Sequence, residues 1–171
     1  MLVVGAGSVA ERKIASLVEA GAQVRVVAPE AVEAVQRLSD AGAIEWRARR
    51  FEEADLDGVW LVMAATSDPA VQRTVGDGAR ARRVFCVAVD DPPNATAYSG
   101  GVVRRPPFLI AISSSGATPA LTRLVREIIE YVLPGDEWVE HAQRLRAKWL
   151  ADGTPMAERF SQLVREWRDR P

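Results

Sequence analysis

Short runs of apolar residues alternate with segments of helical spacing over the first 90 residues. After the first run, Val9, Ile14, Leu17 and Val18 recur at the spacing of one helix face. The apolar runs predict strands at 1–4, 24–27, 44–47, 59–65 and 84–89, and the segments between them predict helices, including 31–41 and 70–82. This alternation is typical of an α/β fold with a doubly wound, Rossmann-type parallel sheet.

The pattern changes after Asp90. Two further apolar runs at 102–103 and 108–112 predict a pair of antiparallel strands, and 119–133 predicts a helix that begins with Pro119. Two amphipathic helices end the chain and hold three of its five tryptophans. We therefore expect a nucleotide-binding domain at 1–99, a small strand-rich region at 100–133 and a helical domain at 134–171. Such a short tail is expected to cover its tryptophans only by packing on the rest of the chain or on a second chain.

Composition narrows the class of protein. Acidic residues (23) and basic residues (22) nearly balance, which argues against a polybasic surface for nucleic acid. The longest apolar run, 59–65, is too short to cross a membrane, and no charged leader precedes an apolar segment at the start. A single cysteine, Cys86, excludes an internal disulfide and a zinc site built from several thiolates. We expect a cytoplasmic globular protein with no nucleic-acid partner, no membrane partner and no resident metal.

The turn after the first predicted strand has the sequence GAGSVA at 5–10. In such a G-x-G-x-x-A turn, the first glycine permits a tight bend and the second lets the backbone approach a pyrophosphate. The small Ala10 allows close packing of helix on strand, and the N–H groups of the helix N-terminus face the anion. Because the flanking strands and helix are in place, the pattern favours a dinucleotide site at Gly5 and Gly7 over a tight turn without ligand.

Glu30 follows the second predicted strand, close to where an acidic residue selects NAD by binding the ribose. No arginine or serine cluster replaces it to hold a 2′-phosphate, so NAD is the predicted cofactor. The alternative is that Glu30 caps the next helix, because a carboxylate is favourable at a helix N-terminus.

Polar residues also follow the fourth and fifth predicted strands, at the edge where ligands bind in open α/β sheets. Thr66 is a candidate for contact with the nicotinamide side of the cofactor, and the alternative is that Ser67 or Asp68 caps the next helix. Asp90 and Asp91 follow the fifth strand. A carboxylate there can accept a proton during hydride transfer, although two adjacent acids also suit a turn.

The segment SSSGATP at 113–119 leads into a predicted helix. Its hydroxyls, its glycine and the helix N-terminus suit substrate carboxylates, which makes Ser114 and Gly116 candidate binding residues. Arg104 and Arg105 are candidates to pair with the same carboxylates. The alternatives are that the loop only caps the helix and that the arginines form a solvated basic pair.

Several of these motifs occur together in a known family. The chain resembles the precorrin-2 dehydrogenase family, the N-terminal module of siroheme synthase, over about 130 residues. The segments that carry the resemblance are VVGAGSVAERK (3–13), AATSD (64–68), FCVAVDDP (85–92), VRR (103–105), LIAISSSG (109–116) and TPAL (118–121).

The resemblance implies NAD-dependent oxidation of precorrin-2 to sirohydrochlorin in siroheme biosynthesis, and some members also insert ferrous iron or cobalt. It implies a Rossmann domain, a dimerisation region at 100–133, a helical domain and a homodimer. By position, Asp90 matches the catalytic aspartate and Ser114 matches a serine of the substrate-binding loop. The NAD contacts of the family fall on two pairs of residues here, Ser8 with Val9 and Pro29 with Glu30.

Two departures from the family pattern stand out. Val87 replaces the usual asparagine after the cysteine of the fifth strand, which suggests altered substrate contacts. The usual lead-in is missing because Met1 already lies in the first strand, so the true start is expected upstream or the edge is trimmed. Two other functions stay open at this point: a regulatory dinucleotide-sensing module without catalysis, and a scaffold that binds NAD but has lost activity.

Overall fold

A computed structural model describes residues 1–169 of the chain, which form two compact units. The first unit comprises Met1–Gly100 with Ser113–Pro119, and the second comprises Gly101–Ile112 with the described residues 120–169. Within the described residues, no helix has the length and apolar character that a membrane span requires.

A five-stranded parallel sheet is the centre of the first unit. Its strands are β1 (Leu2–Val4), β2 (Arg25–Val27), β3 (Glu45–Arg47), β4 (Leu61–Ala64) and β5 (Phe85–Ala88). They lie in the order β3-β2-β1-β4-β5, with Val4 paired to both Val27 and Ala64. The carboxyl ends of β1, β2 and β4 therefore meet at one edge of the sheet, next to the end of β5.

Helices cover both faces of this sheet. They are α1 (Ser8–Glu19), α2 (Glu33–Asp40) and α3 (Pro69–Arg82). Successive side chains of a strand point to opposite faces, so Leu2 and Val4 pack with Val75 of α3, whereas Val3 packs with Ile14 of α1. The strands can therefore be apolar on both sides, and each buried valine or leucine contributes about 2 kcal/mol relative to exposure.

The structure confirms the predicted fold class and each predicted strand, with ends that differ by at most two residues. Two short 3₁₀ turns, Glu53–Leu56 and Pro92–Asn94, have no counterpart in the predictions.

An irregular segment that the sequence pattern does not indicate forms hydrogen bonds to the outer edge of β5. There the backbone N–H groups of Thr96 and Ala97 both donate to the carbonyl of Cys86, at 2.8 and 2.9 Å. These contacts satisfy part of an otherwise open sheet edge.

Cys86 is a buried free thiol within β5. Burial, which disfavours the charged thiolate, raises its pKa to about 11. This environment agrees with a core thiol of low reactivity rather than a nucleophile.

Asp55 is the buried charged residue of the core, with 2% of its surface exposed. Arg49 donates two hydrogen bonds to its carboxylate, and the Glu52 N–H donates a third at 3.0 Å. Burial alone would raise the pKa of Asp55, but these hydrogen bonds and the charges of Arg49 and Arg47 lower it below its ordinary value. Asp55 therefore stabilises the fold as a carboxylate.

We expect Asp55→Asn to lower the free energy of unfolding by about 2 kcal/mol at neutral pH, because the amide has no charge to pair with Arg49 and one acceptor oxygen instead of two. A lowered pKa means that this stabilisation is present above the unfolded-state pKa of about 3.9 and is lost as pH falls through the folded value. Urea unfolding at pH 7 and at pH 3 measures both effects, and the gap between the two proteins should narrow at pH 3. The control Asp57→Asn removes an exposed partner of Arg82 and should cost under about 0.5 kcal/mol. An equal cost for both variants would contradict the structural role of Asp55.

The second unit contains an antiparallel hairpin and three helices. Strands β6 (Gly101–Arg105) and β7 (Phe108–Ile112) pair in the register Gly101 to Ile112, as the sequence predicts. The helices are α4 (Pro119–Val132), α5 (Asp136–Ala151) and α6 (Met156–Arg168).

The two final helices shield much of their own aromatic surface. Trp138 and Trp167 meet edge to face with ring centroids 4.8 Å apart. Trp149 is 7% exposed, and its indole N–H donates to Gln162 at 2.7 Å. These contacts cover part of the tryptophan surface within α5 and α6, whereas the half-buried Trp138 and Trp167 also line a groove with Pro107 and Phe108, outside the tail.

Candidate functional site

A cleft of about 680 Å³ lies at the carboxyl edge of the parallel sheet. It is bounded by the turns that follow β1 and β2 and by the ends of β4 and β5. The predicted residues that line it are Gly5, Gly7, Ser8, Val9, Pro29, Glu30, Thr66 and Asp90. The parallel topology thus brings residues from four separate segments of sequence into one site.

The turn after β1 is held firmly by backbone hydrogen bonds. The N–H of Gly5 donates to Val27 at 3.0 Å, and the N–H of Val32 donates to Ala6 at 3.0 Å. Gly5 has a φ of +104°, and an added Cβ would lie 2.7 Å from the carbonyl carbon of Ala65. Only glycine fits there, because both the backbone angle and the close strand exclude a side chain. The first glycine of the motif is therefore required by the fold itself.

Gly7 differs from Gly5 in the space around it. Its φ is −82°, and an added Cβ would meet no atom within 4 Å. The fold itself would accept alanine, so the bare backbone at Gly7 leaves room in the cleft. Gly7 also precedes α1, whose first intrahelical bond runs from the Glu11 N–H to the Gly7 carbonyl. The preceding N–H groups have no acceptor within the helix, and the turn fits the phosphates of a dinucleotide.

Glu30 lies exposed in the loop between β2 and α2 and lines the cleft. The N-cap of α2 is Val32, and no side chain caps that helix. The alternative in which Glu30 caps α2 is therefore not observed. Its carboxylate stays available to a ligand on the β2 side of the cleft.

The turn after β4 combines a structural and a candidate binding role. Asp68 caps α3, accepting hydrogen bonds from the N–H groups of Ala70 at 2.8 Å and Val71 at 3.3 Å. Thr66 accepts one from the N–H of Asp68 at 3.2 Å while lining the cleft. Asp68 is thus the residue that caps α3, and Thr66 remains a candidate for contact with a ligand in the cleft.

Asp90 and Asp91 have different environments. Asp91 is half-buried and accepts a hydrogen bond from the Asn94 side chain at 2.7 Å, within the 3₁₀ turn. Asp90 is exposed, and its φ of +55° is unusual for a residue other than glycine. It lines the cleft and also a neighbouring recess of about 620 Å³. Of the two acids, Asp90 is the one placed to meet a ligand.

Gln72 is a cleft residue that the motif analysis missed. It lies in the first turn of α3, and its amide N–H₂ group donates to the carbonyls of Thr66 at 2.9 Å and Val89 at 3.1 Å. The side chain thus ties the end of β4 to the end of β5. The only available signal was the polar side chain in the first turn of a helix at the sheet edge.

The serine loop uses hydroxyl groups for its own conformation. Ser113 accepts a hydrogen bond from the Ser115 N–H at 3.1 Å, and Ser114 accepts one from the Thr118 N–H at 3.2 Å. Gly116 lies against Tyr98, with a φ of +79°. Ser114 and Gly116 do not line the cleft of about 680 Å³, although their loop belongs to the same compact unit.

The remaining candidates lie elsewhere in the fold. Arg104 is exposed on β6 of the second unit, whereas Arg105 donates to the Leu133 carbonyl at 3.1 Å, just after α4. That contact suits a cation near a helix C-terminus. Val87 is 7% exposed and belongs to the same core cluster as Met63, so its side chain lies in the hydrophobic core.

Within residues 1–169, no three or more histidine, cysteine, aspartate or glutamate side chains are grouped as a metal site would need.

Comparison with known proteins gives matches over most of the chain. A family model described as "Putative NAD(P)-binding" matches residues 1–101. Siroheme synthase 1 of Cronobacter sakazakii is 50% identical over 134 residues, which are 78% of this chain and 28% of that protein. Siroheme synthase of Citrobacter koseri is 39% identical over 160 residues, which are 92% of this chain and 35% of that protein. The chain therefore spans about a third of the length of these relatives.

A solved structure has the same fold. It is described as SirC, precorrin-2 dehydrogenase, and it superposes with a TM-score of 0.71 at 22% sequence identity. The match covers 96% of this chain and 82% of the other.

Proposed function

The chain belongs to the NAD(P)-binding family, and from that premise we propose that it oxidises precorrin-2 to sirohydrochlorin with NAD⁺ as the electron acceptor. The observation that carries the proposal is the single cleft that contains both the turn at Gly7 and the carboxylate of Asp90. The similarity to siroheme synthases supports the choice of substrate.

The sheet topology supports an orientation for the dinucleotide. Since β2 lies on one side of β1 and β4 lies on the other, Glu30 and Thr66 lie on opposite sides of the glycine turn. With the phosphates at the turn, the adenosine half is placed toward Glu30 and the nicotinamide half toward Thr66 and Asp90. A carboxylate at the ribose hydroxyls would repel a 2′-phosphate, which supports NAD over NADP.

The chemistry divides between the cofactor and Asp90. The oxidation removes two protons and two electrons from the tetrapyrrole, and NAD⁺, when bound, would accept one proton and both electrons as a hydride. The other hydrogen leaves as a proton, and the exposed carboxylate of Asp90 is the group placed to accept it. Asp90 then returns the proton to solvent. Ser114, Gly116 and the arginine pair are proposed to bind substrate carboxylates, with Arg104 the more available arginine.

The test is anaerobic incubation of freshly prepared precorrin-2 with the protein and either NAD⁺ or NADP⁺, followed by the absorbance of sirohydrochlorin. We expect product with NAD⁺ and at least about tenfold less with NADP⁺ at equal concentration. If NAD⁺ binds but precorrin-2 is unchanged, a dinucleotide-sensing or inactive scaffold function replaces the proposal. Adding ferrous or cobalt ion as a second substrate tests metal insertion, which stays a prediction from the resemblance. The cytoplasm stays the predicted location.

A homodimer is part of the same proposal. Leu121, Leu124 and Ile128 form a stripe on one face of α4, and each is more than half exposed. We expect light scattering to give twice the chain mass of 18.6 kDa, and Leu124→Glu to shift it toward a single chain. A wild-type protein that stays monomeric at micromolar concentration would contradict the dimer.

A further inference from the structure

Tyr98 contacts the serine loop, residues 113–119, through the face of its ring. A Cβ added at Gly116 would lie 3.3 and 3.6 Å from the ring carbons Cε1 and Cδ1 of Tyr98, and 3.6 Å from Cγ of Pro92. The φ of Gly116 is +79°, and because glycine has no side chain the loop backbone can come this close. The serine loop therefore packs on an aromatic ring and on Pro92, the first residue of a 3₁₀ turn.

The backbone on both sides of Tyr98 is held in place. The N–H of Thr96 donates to the Cys86 carbonyl at 2.8 Å, and the hydroxyl oxygen of Thr96 accepts from the Cys86 N–H at 2.8 Å. On the other side, Nζ of Lys13 donates to the hydroxyl of Ser99 at 3.3 Å. The side chain of Tyr98 is nevertheless 47% exposed. An exposed ring on an anchored backbone is suited to support a neighbouring loop.

The same short segment carries Asp90. Two residues of extended chain span at most about 7 Å, so the Cα atoms of Asp90 and Pro92 are no farther apart than that. Asp90 and Gly116 are both exposed and belong to the same compact unit. A tetrapyrrole with many carboxylates is wide enough to reach both. The position of the serine loop relative to Asp90 thus depends on its contacts with Pro92 and Tyr98.

We propose that Tyr98 is a positioning residue whose ring holds the serine loop beside Asp90, so that Ser114 and Gly116 bind a carboxylate of the tetrapyrrole while Asp90 accepts its proton. The inference rests on the proposed function for the identity of the substrate. Without the ring, the loop keeps its internal hydrogen bonds but loses its support. Substrate binding then weakens, whereas the cleft with the glycine turn is unchanged.

The test compares Tyr98→Ala with Tyr98→Phe in steady-state oxidation of precorrin-2. We expect Tyr98→Ala to raise KM for precorrin-2 about tenfold, with kcat reduced less than about threefold and the dissociation constant for NAD⁺ within about twofold. Tyr98→Phe keeps both ring carbons that contact the loop, so it should restore the wild-type KM. A merely structural role would lower the fraction of active protein, and hence kcat, at an unchanged KM, which would overturn the proposal.

Phe85 offers a matched control. It is an exposed aromatic residue of the same compact unit, with 61% of its surface exposed, and it begins β5, whereas Asp90 follows the other end of that strand. Phe85→Ala should retain the wild-type KM for precorrin-2. An increase equal to that of Tyr98→Ala would show a general effect of losing an exposed ring and would overturn the proposal.

Amide hydrogen exchange, followed by mass spectrometry, tests the contact without any substrate. Exchange in segment 113–119 should be at least about fivefold faster in Tyr98→Ala than in the wild type, and unchanged in Tyr98→Phe and Phe85→Ala. Unchanged exchange in Tyr98→Ala overturns the proposal. Faster exchange, found together with a wild type that leaves precorrin-2 unchanged, supports Tyr98 as the support of the loop while the dehydrogenase proposal fails.

The wild type decides if Tyr98→Ala fails to fold. The product sirohydrochlorin, added with NAD⁺, should slow amide exchange both in segment 113–119 and in segment 90–98, because one molecule contacts the loop and the residues around Asp90. Slower exchange in only one of these segments, or in neither, overturns the proposal.

Discussion

Asp90→Asn is expected to lower kcat for precorrin-2 oxidation by at least about 100-fold, because an amide cannot accept the proton. Asparagine has nearly the same size and tolerates a φ of +55° better than most residues, so the fold should persist. Since the change leaves the glycine turn intact, the dissociation constant for NAD⁺ should stay within about twofold. Stopped-flow absorbance of sirohydrochlorin and calorimetric titration of NAD⁺ measure the two quantities separately.

Asp91→Asn is the matched control for this prediction. Its carboxylate accepts from Asn94 within the 3₁₀ turn, so the expected result is a stability loss of about 1 kcal/mol with kcat reduced less than about fivefold. Activity that survives Asp90→Asn but falls with Asp91→Asn would show that Asp91, and not Asp90, accepts the proton. If activity survives in both variants, the proton is accepted by solvent or by a group of the substrate itself.

Gly7→Ala is expected to weaken NAD⁺ binding by about 100-fold, which corresponds to about 2.7 kcal/mol, while the melting temperature changes by less than about 2 °C. The fold has open space at this position, since an added Cβ meets no atom within 4 Å. The methyl group would instead occupy the space into which a pyrophosphate must come. Calorimetry with NAD⁺ and thermal unfolding monitored by circular dichroism measure the two effects.

Gly5→Ala provides the contrast. A side chain at a φ of +104° and 2.7 Å from the carbonyl carbon of Ala65 forces the turn to move, so this variant should be strongly destabilised or fail to fold. Within one motif, Gly5 is thus required by the fold, whereas Gly7 is expected to be required by the ligand. Normal NAD⁺ affinity in Gly7→Ala would show that the phosphates do not lie on this turn.

Much of the fold follows from local sequence patterns. The predicted strands match the structure closely because strands buried on both faces are continuously apolar, and the short length of these runs indicates strands rather than buried helices. The 3₁₀ turn at Glu53–Leu56 could not be predicted because Asp55 within it accepts hydrogen bonds from Arg49, and the spacing of apolar residues does not indicate such a contact. The fully buried side chain of Asp55 likewise contradicts the usual expectation for a charged residue.

The candidate site was predictable where it depends on topology and unpredictable where it depends on hydrogen bonding. Residues that follow parallel strands gather at one edge whatever their side chains, so Gly7, Thr66 and Asp90 could be placed together from sequence. The alternatives at Glu30 and Asp68 could not be decided that way, because a carboxylate near a helix start suits a cap and a ligand equally. The N-cap geometry of α2 and α3 decides them.

The sequence by itself determined the α/β architecture, the glycine turn and the pair of acids after β5, because each is a local pattern of residue types. Only the tertiary structure decided which acid stays exposed, why Gly5 and Gly7 differ, and that Gln72 ties the ends of β4 and β5 together. Those properties depend on atoms brought together from distant segments, such as the carbonyl of Val89 beside the amide of Gln72, 17 residues away. Local periodicity specifies the elements, whereas the register of the sheet and the directions of individual side chains specify the chemistry of the site.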